Sequence, residues 1–348
     1  MNDRLQLESE KLLRSWMQHE PAWLRDYLVS GVEDPRINVQ SILSRHFVAR
    51  ALTGDSFREL MGEEIRFAAA VAWILELAAK LGDADGLREV WQTLRRGGDN
   101  TEGVEIPRFV VQTSARLPAA LGGLCPTVPN YVEVLLCGTQ FEAGKPVVTK
   151  RSLDTFLELW KTALSGLPLG GPHPRLSLIE PACGSANDYR FLDACGLAEF
   201  LDYTGFDLCA TNISNARALF PAIRFEVGNV FAISAEDKAF DFCLVHDLFE
   251  HLSLEGLEVA AEEVCRVTRR GLCIGFFQMD EIPEHIVRPI EEYHWNLLSM
   301  AGMRESFARH GFVGQVLHIG SFLRRQVGCE GTHNWNAYTF MLRRAGVA

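Results

Sequence analysis

The first hundred residues alternate apolar and polar positions with the spacing of helices. Leu12, Leu13, Trp16 and Met17 recur on one face, as do Ile42, Leu43, Phe47 and Val48, and then Phe57, Leu60, Met61 and Ile65. Turn signals at His19-Glu20-Pro21, Glu33-Asp34-Pro35 and Gly54-Asp55-Ser56 separate these units, and Asp55 or Ser56 is expected to cap the helix that follows. The run FAAAVAWILELAA is broken by Glu76 and is too short to cross a bilayer, so it reads as a buried helix. From about 101 to 150 Pro107, Pro118, Pro126 and Pro129 interrupt the pattern, together with Gly122, Gly123 and Gly138. This predicts connecting structure with one or two short helices.

After residue 150 the pattern changes. A helix over Leu153 to Leu164 runs into LSGLPLGGPHP, a boundary signal, and strands and helices then alternate. SLIE, FLDYTGFD, IRFEVGN, FDFCLVHD and GLCIGFF read as strands, with VGQVLHIG and YTFMLRR as two late ones. DYRFLDACGL, NISNARALF, LEVAAEEVCRVT and MRESFARH read as helices, the first ending at Gly196 and the last at Gly311. The predicted fold is α/β: a Rossmann-like, mostly parallel seven-stranded sheet with helices on both faces, residues 150–348. An all-helical N-terminal domain, residues 1–149, precedes it and serves as a lid, a dimerisation surface or a substrate module. Such sheets bind ligands at the carboxyl ends of their strands, where the strand order reverses.

Composition narrows the classes. The chain has 348 residues, 47% of them hydrophobic, and a net charge of −11, which speaks against a protein that binds mainly by neutralising phosphates. Nine cysteines without a C-x-x-C pair suit reduced thiols, and the polar start MNDRLQLESEK is no secretory signal. The expectation is a cytoplasmic protein with no membrane partner.

The strand ends carry the candidate chemistry. LSLIE ends in Glu180 and breaks into Pro181-Ala182-Cys183-Gly184-Ser185-Ala186, a turn of small side chains that admits close approach of a ligand. The turn matches neither the triphosphate-binding loop nor G-x-G-x-x-G. The second strand ends at Asp207, whose carboxylate suits the two hydroxyls of a ribose or the start of the next helix, a role open also to Asn212 or Ser214. The third ends EVGNV, with Asn229, and the fourth ends in His246-Asp247.

In this order these elements resemble the class I S-adenosylmethionine-dependent methyltransferases, over about residues 150 to 348. The resemblance implies S-adenosyl-L-methionine as cofactor, held by Glu180, Ala182, Cys183, Gly184, Ala186, Asp207, Leu208, Asn229, Val230 and His246. Two family glycines are replaced by Ala182 and Ala186, and Asn229 stands where aspartate is commoner. The loop also resembles that of base-methylating amino-methyltransferases, but Val245-His246-Asp247-Leu248 stands in place of their N/D-P-P-Y motif.

Asp247, Glu250 and His251, at i, i+3 and i+4, would share one face of a helix. They resemble the E-x-x-E-H element of metal-dependent O-methyltransferases, including small-RNA 2′-O-methyltransferases. That gives an alternative metal set, with His285, His294, His310, His318 or His333 as a fourth ligand, although the favoured assignment has no metal. The favoured function is O-methylation of a small-molecule acceptor, with His246, His251 and Asp247 as candidate catalytic groups. The alternatives are a metal-dependent RNA 2′-O-methyltransferase and a non-catalytic cofactor-binding scaffold. The long segment after the fifth strand carries Tyr293, His294 and Trp295, suited to a ring or lipid-like acceptor or to a packed surface helix. Arg36 and Arg45 read as solvated charges or as contacts for an acidic substrate, and the N-terminal helices are a candidate homodimer surface.

Overall fold

The computed structural model describes residues 2–30, 34–101, 103–167, 175–328 and 334–346, with 28–30 described in the backbone alone. Most of the LSGLPLGGPHP boundary, Cys329 and His333 lie outside these residues.

Among the described residues nine helices form the N-terminal region: α1 (Asp3–Met17), α2 (Pro21–Ser30), α3 (Val39–Thr53), α4 (Arg58–Leu81), α5 (Ala84–Arg95), α6 (Arg108–Leu121), α7 (Tyr131–Gly138), α8 (Lys150–Leu153) and α9 (Thr155–Ser165). The all-helical expectation needs correction, because two hairpins, Asn100–Thr101 with Val104–Glu105 and Thr139–Glu142 with Lys145–Val148, join them. α6 is also longer than a short connector. It carries Pro118 in its interior while burying Phe109, Val110, Leu117 and Leu121 on one face, so burial outweighs the missing backbone donor. α4 contains the FAAAVAWILELAA run, and no described helix is long and apolar enough to span a membrane. Neither Asp55 nor Ser56 caps α4; the Ser56 hydroxyl donates back to the Thr53 carbonyl.

The second half alternates β1 (Leu176–Pro181), α10 (Asn187–Ala194), β2 (Leu201–Asp207), α11 (Ala210–Leu219), β3 (Arg224–Val227), β4 (Phe240–His246), α12 (Leu254–Val267), β5 (Thr268–Phe276), α13 (Met300–Arg309), β6 (Phe312–His318), α14 (Ile319–Val327) and β7 (Tyr338–Arg344). Here β numbers the strands of the main seven-stranded sheet, whose order is β6-β7-β5-β4-β1-β2-β3. β1 pairs in parallel with β2 and β4, whereas β7 runs antiparallel between β5 and β6. The order therefore reverses at the β1–β4 pair, and the carboxyl ends of those two strands, Glu180 and His246, open the crevice expected of such a sheet. α14 follows β6 directly, a helix that the strand reading of VGQVLHIG does not include.

Alternate residues of the central strands feed opposite layers. Leu178, Leu244 and Cys273 pack with α10, α11 and the N-terminal helices, while Ile179, Val245 and Ile274 pack with α12 and α13. Helix α3 runs through the first layer. Phe47 meets Phe242 edge to face at 5.6 Å, and a side chain on Gly271 would stand 2.9 Å from the Phe47 ring. Arg36 and Arg45 are neither solvated nor aimed at a ligand. Arg36 is buried against Asp34 and bonds Asp154, and Arg45 bonds Glu64 and the Pro35 carbonyl. All eight described cysteines are unpaired, and seven are buried.

Candidate active site

Above the β1–β4 switch lies a cavity of about 520 Å³. Its floor is built by the loop after β1. Ala182, Gly184 and Ala186 all take positive φ, at 54°, 54° and 67°, so the loop keeps left-handed geometry with alanine at two of the three places. Cys183 N–H donates to the Phe206 carbonyl and Gly184 N–H to Asp207 Oδ2 at 3.0 Å, which ties the loop to the end of β2. A side chain on Gly184 would meet Asn187 Nδ2 at 3.0 Å.

Asp207 Oδ1 accepts from Cys209 N–H at 2.7 Å and from Asn212 Nδ2, which fixes the start of α11 without a side-chain cap from Ser214. Burial raises the pKa of Asp207, and its three donors only partly offset this. Glu180 accepts from the Tyr203 hydroxyl at 2.7 Å; burial first, and then Asp188, push its pKa well up. Glu180, Ala182, Cys183, Gly184, Asp207, Leu208, Asn229, Val230 and His246 line the one cavity. Ala186 is fully buried beneath the loop at the head of α10. The Asn229 amide is committed to protein partners: Oδ1 accepts from Phe231 N–H at 2.9 Å, and Nδ2 donates to Ser9 of α1 at 2.8 Å.

His246 is clamped between helices. Its Nδ1 lies 2.6 Å from Asp188 Oδ2 of α10 and its Nε2 lies 2.7 Å from the Ser44 hydroxyl of α3. Burial would raise Asp188, but the charge and hydrogen bond of His246 outweigh it and hold the carboxyl low. Nδ1 therefore carries a proton. Beside this clamp Gln40 Nε2 donates to the Phe276 and Tyr338 carbonyls. A side chain on Gly275 would stand 2.6 Å from the His246 ring and 3.0 Å from Gln40 Nε2.

The Asp247-Glu250-His251 trio does not share a helix face. Asp247 takes a φ of 49°, and only Phe249–His251 form a short 3-10 turn. Asp247 and His251 meet, with Oδ1 and Nε2 3.2 Å apart, and both line the cavity. Glu250 turns inward and accepts from Phe277 N–H at 2.5 Å and from Gln278 N–H at 3.3 Å. Among the described residues no group of three such side chains is placed to hold a metal ion. Of the proposed fourth ligands, His285 accepts from Ser299 N–H and His318 sits between Ser321 and the Trp335 carbonyl.

The His251 ring nitrogens both face acceptors. Nδ1 can only donate to the His294 carbonyl, and Nε2 faces the Asp247 carboxylate. Burial pulls the His251 pKa down, but Asp247, with help from Glu250, leaves it raised above 6.5. The segment carrying Tyr293 and Trp295 is not a packed helix. It folds as short extended pieces, Pro289–Ile290 against Tyr293–His294, and both rings line the cavity beside His251.

More of the cavity lining comes from residues that the sequence pattern did not single out as functional: Trp16, His19, Trp23 and Tyr27, with Gln40 and Ser41. The i, i+4, i+8 spacing of His19, Trp23 and Tyr27 is the signal that was there to be read. Among the described residues no lysine or arginine lines the cavity.

The fold and this crevice define a doubly wound α/β protein with a cofactor cleft at its topological switch point. Residues 179–274 match the family model described as a methyltransferase domain. No curated protein matches the sequence. Similar solved structures include a Mesorhizobium loti S-adenosylmethionine-dependent methyltransferase (13% identity, 52% of this chain and 95% of that one, TM-score 0.39). Others are the Burkholderia thailandensis 1,6-didemethyltoxoflavin-N1-methyltransferase (12%, 49% and 71%, 0.38) and the magnesium protoporphyrin IX methyltransferase of Synechocystis (13%, 57% and 86%, 0.36). Over residues 179–274, then, the chain is similar to the methyltransferase domain family.

Proposed function

We propose that the protein methylates a hydroxyl group of a small-molecule acceptor, with the Asp247–His251 pair as the proton acceptor. The observation that carries this reading is the placement of that pair, at the end of β4, in the cavity lined by the β1 loop and Asp207. The cleft suits S-adenosylmethionine: the small-residue loop leaves room for close approach, and Asp207 presents a fixed carboxylate at a strand end. Glu180, Ala182, Cys183 and Gly184 would hold the methionine end, Asp207 and Leu208 the ribose, and Asn229 with Val230 the adenine side. When bound, the cofactor would supply an electrophilic methyl group, taken in line by the acceptor oxygen as the carbon–sulfur bond breaks and the sulfur leaves as a neutral thioether.

The chain's part is orientation and proton uptake. His246 has both ring nitrogens committed to Asp188 and Ser44, which suits it to shape the cleft. Asp247 has one oxygen toward His251, and its side chain is one-third exposed, so a hydroxyl can bond it. In the pair's singly protonated form His251 is an imidazolium beside a carboxylate. After that proton leaves, the pair can take the acceptor's proton at Asp247, with His251 sharing it.

The expected pH profile of kcat rises through a pKa above 6.5. His251→Gln should remove that limb and lower kcat about 10²- to 10⁴-fold. An unchanged kcat in Asp247→Asn would show that the pair is not the base. Calorimetric titration of Asp207→Ala with S-adenosylhomocysteine should show loss of binding, and retained binding would refute the ribose assignment.

A further inference from the structure

We infer that the acceptor is an uncharged, planar, multi-ring aromatic hydroxyl compound, and that the aromatic row of the N-terminal helices selects it. This rests on the function proposed above and names the acceptor's chemistry at that same site.

Three observations converge. First, His19, Trp23 and Tyr27 form a continuous stack, with ring centroids 4.1 and 4.7 Å apart and interplanar angles of 21° and 10°. Trp16 lies alongside the row, 5.8 Å from Tyr27 and 6.1 Å from His19. All four line the cavity, yet Trp23 is 45% exposed. A preformed aromatic wall left open toward a cavity offers apolar surface that a flat ligand would cover.

Second, the wall is anchored rather than loose. The backbone of α2 is held from α10 by Arg190, which donates to the Arg25 carbonyl at 3.0 Å, and from α11 by Asn215, which donates to the Pro21 carbonyl at 2.9 Å. Tyr293 and Trp295 also line the cavity and flank His251, at 5.7 and 5.0 Å. Rings from two separate parts of the chain thus line the cavity that holds the Asp247–His251 pair.

Third, the charge is wrong for an anion. Glu180, Asp188, Asp207 and Asp247 line the cavity, and among the described residues no lysine or arginine does. A phosphorylated or carboxylated acceptor would meet the Asp188 and Asp247 carboxylates with no lysine or arginine among the described lining residues to compensate. A neutral ring bearing one hydroxyl meets aromatic walls and a single proton acceptor.

The test is calorimetric binding to the full-length protein saturated with S-adenosylhomocysteine. The probes are 2-naphthol, its saturated counterpart decahydro-2-naphthol and 2-naphthyl phosphate. 2-Naphthol should bind at least tenfold more tightly than either of the others. Trp23→Leu, at a half-exposed position, should erase most of that preference while the affinity for S-adenosylhomocysteine stays as in the wild type. Equal binding of the saturated ring, tighter binding of the phosphate, or no binding of any probe overturns the inference. Failure of S-adenosylhomocysteine itself to bind would instead sink the cofactor reading on which it rests.

Discussion

Ala182 and Ala186 hold φ angles of 54° and 67°, where an L-residue carries a steric cost of roughly 1–2 kcal/mol. Glycine would remove that cost but lose about 0.5–1 kcal/mol to the freedom of the unfolded chain. Ala186→Gly should therefore be near neutral or stabilising by up to about 1.5 kcal/mol, in denaturant unfolding with cofactor binding intact. Ala186→Val adds a β-branched side chain at a fully buried left-handed position, and should destabilise by about 2 kcal/mol or more. Equal stability of the two variants would mean that the loop relaxes out of this geometry. Alanine thus preserves the glycine shape at a modest cost. Gly275 is less forgiving. The side chain of Gly275→Ala would press on the His246 ring and Gln40 at once. Titration with S-adenosylhomocysteine should then show at least a tenfold loss of affinity in a protein whose circular dichroism is unchanged.

Helix α1 lies across the cleft as a strap. Glu8 accepts from both the backbone N–H and the hydroxyl of Ser253, each at 2.6 Å, so a carboxylate from one end of the chain caps α12 at its N-terminus. Arg14 meets Glu292 at 3.0 Å, and Ser9 holds Asn229. Glu8→Ala removes a cap of about 1 kcal/mol, and hydrogen exchange should quicken in α1 while α12 beyond its first turn keeps its protection. Unchanged exchange in α1 would show that Ser9 and Arg14 suffice. Little of this strap was legible beforehand. The spacing of Leu12, Leu13 and Trp16 marked a helix, but the partners of Glu8, Ser9 and Arg14 lie more than 200 positions away, where periodicity says nothing. The sheet was legible because strands buried on both faces, such as FDFCLVHD, announce themselves as apolar runs with polar ends. That pattern located Glu180, Asp207 and His246. Asp247, Glu250 and His251 misled because helix geometry was assumed for a segment that breaks at Asp247. α3 hid its role because Gln40, Ser41 and Ser44 look like an exposed polar face, yet all three are buried: Ser44 holds His246, Ser41 bonds its partner Asp188, and Gln40 bonds the Phe276 and Tyr338 carbonyls.

Across the whole molecule, buried ionisable groups give folding stability a tilt with pH. Burial raises the pKa values of Glu180, Asp207 and Glu250, the last to about 7 with help from Asp247. Each is a carboxyl that is easier to ionise in the unfolded chain. The advantage of the native state at Glu250 is complete below pH 4.5 and is lost as pH rises through about 7. His251, raised above 6.5, tilts stability the same way, whereas His46, lowered by burial, favours the fold as pH rises toward 6.5. Asp188 and Glu64 are held low despite burial, by His246 and by Arg45 with His46, so their contribution is present above pH 3.8 and 4.5 and fails only in acid. Stability should therefore peak in weak acid and decline toward pH 8. Glu250 is the group to test, because one of its oxygens, Oε2, has no partner among the described residues and the carboxyl is wholly buried. Full ionisation costs on the order of 3 kcal/mol, from 1.36 kcal/mol per pKa unit. Glu250→Gln keeps the acceptor for Phe277 and cannot ionise. Its unfolding free energy should approach that of the wild type at pH 5 and exceed it at pH 8, and a constant gap across that range would acquit Glu250. The same substitution removes a charge that raises His251. The rising limb of the kcat profile should then shift to lower pH in the variant, so the buried acid sets both where the fold is most stable and where the Asp247–His251 pair becomes a base.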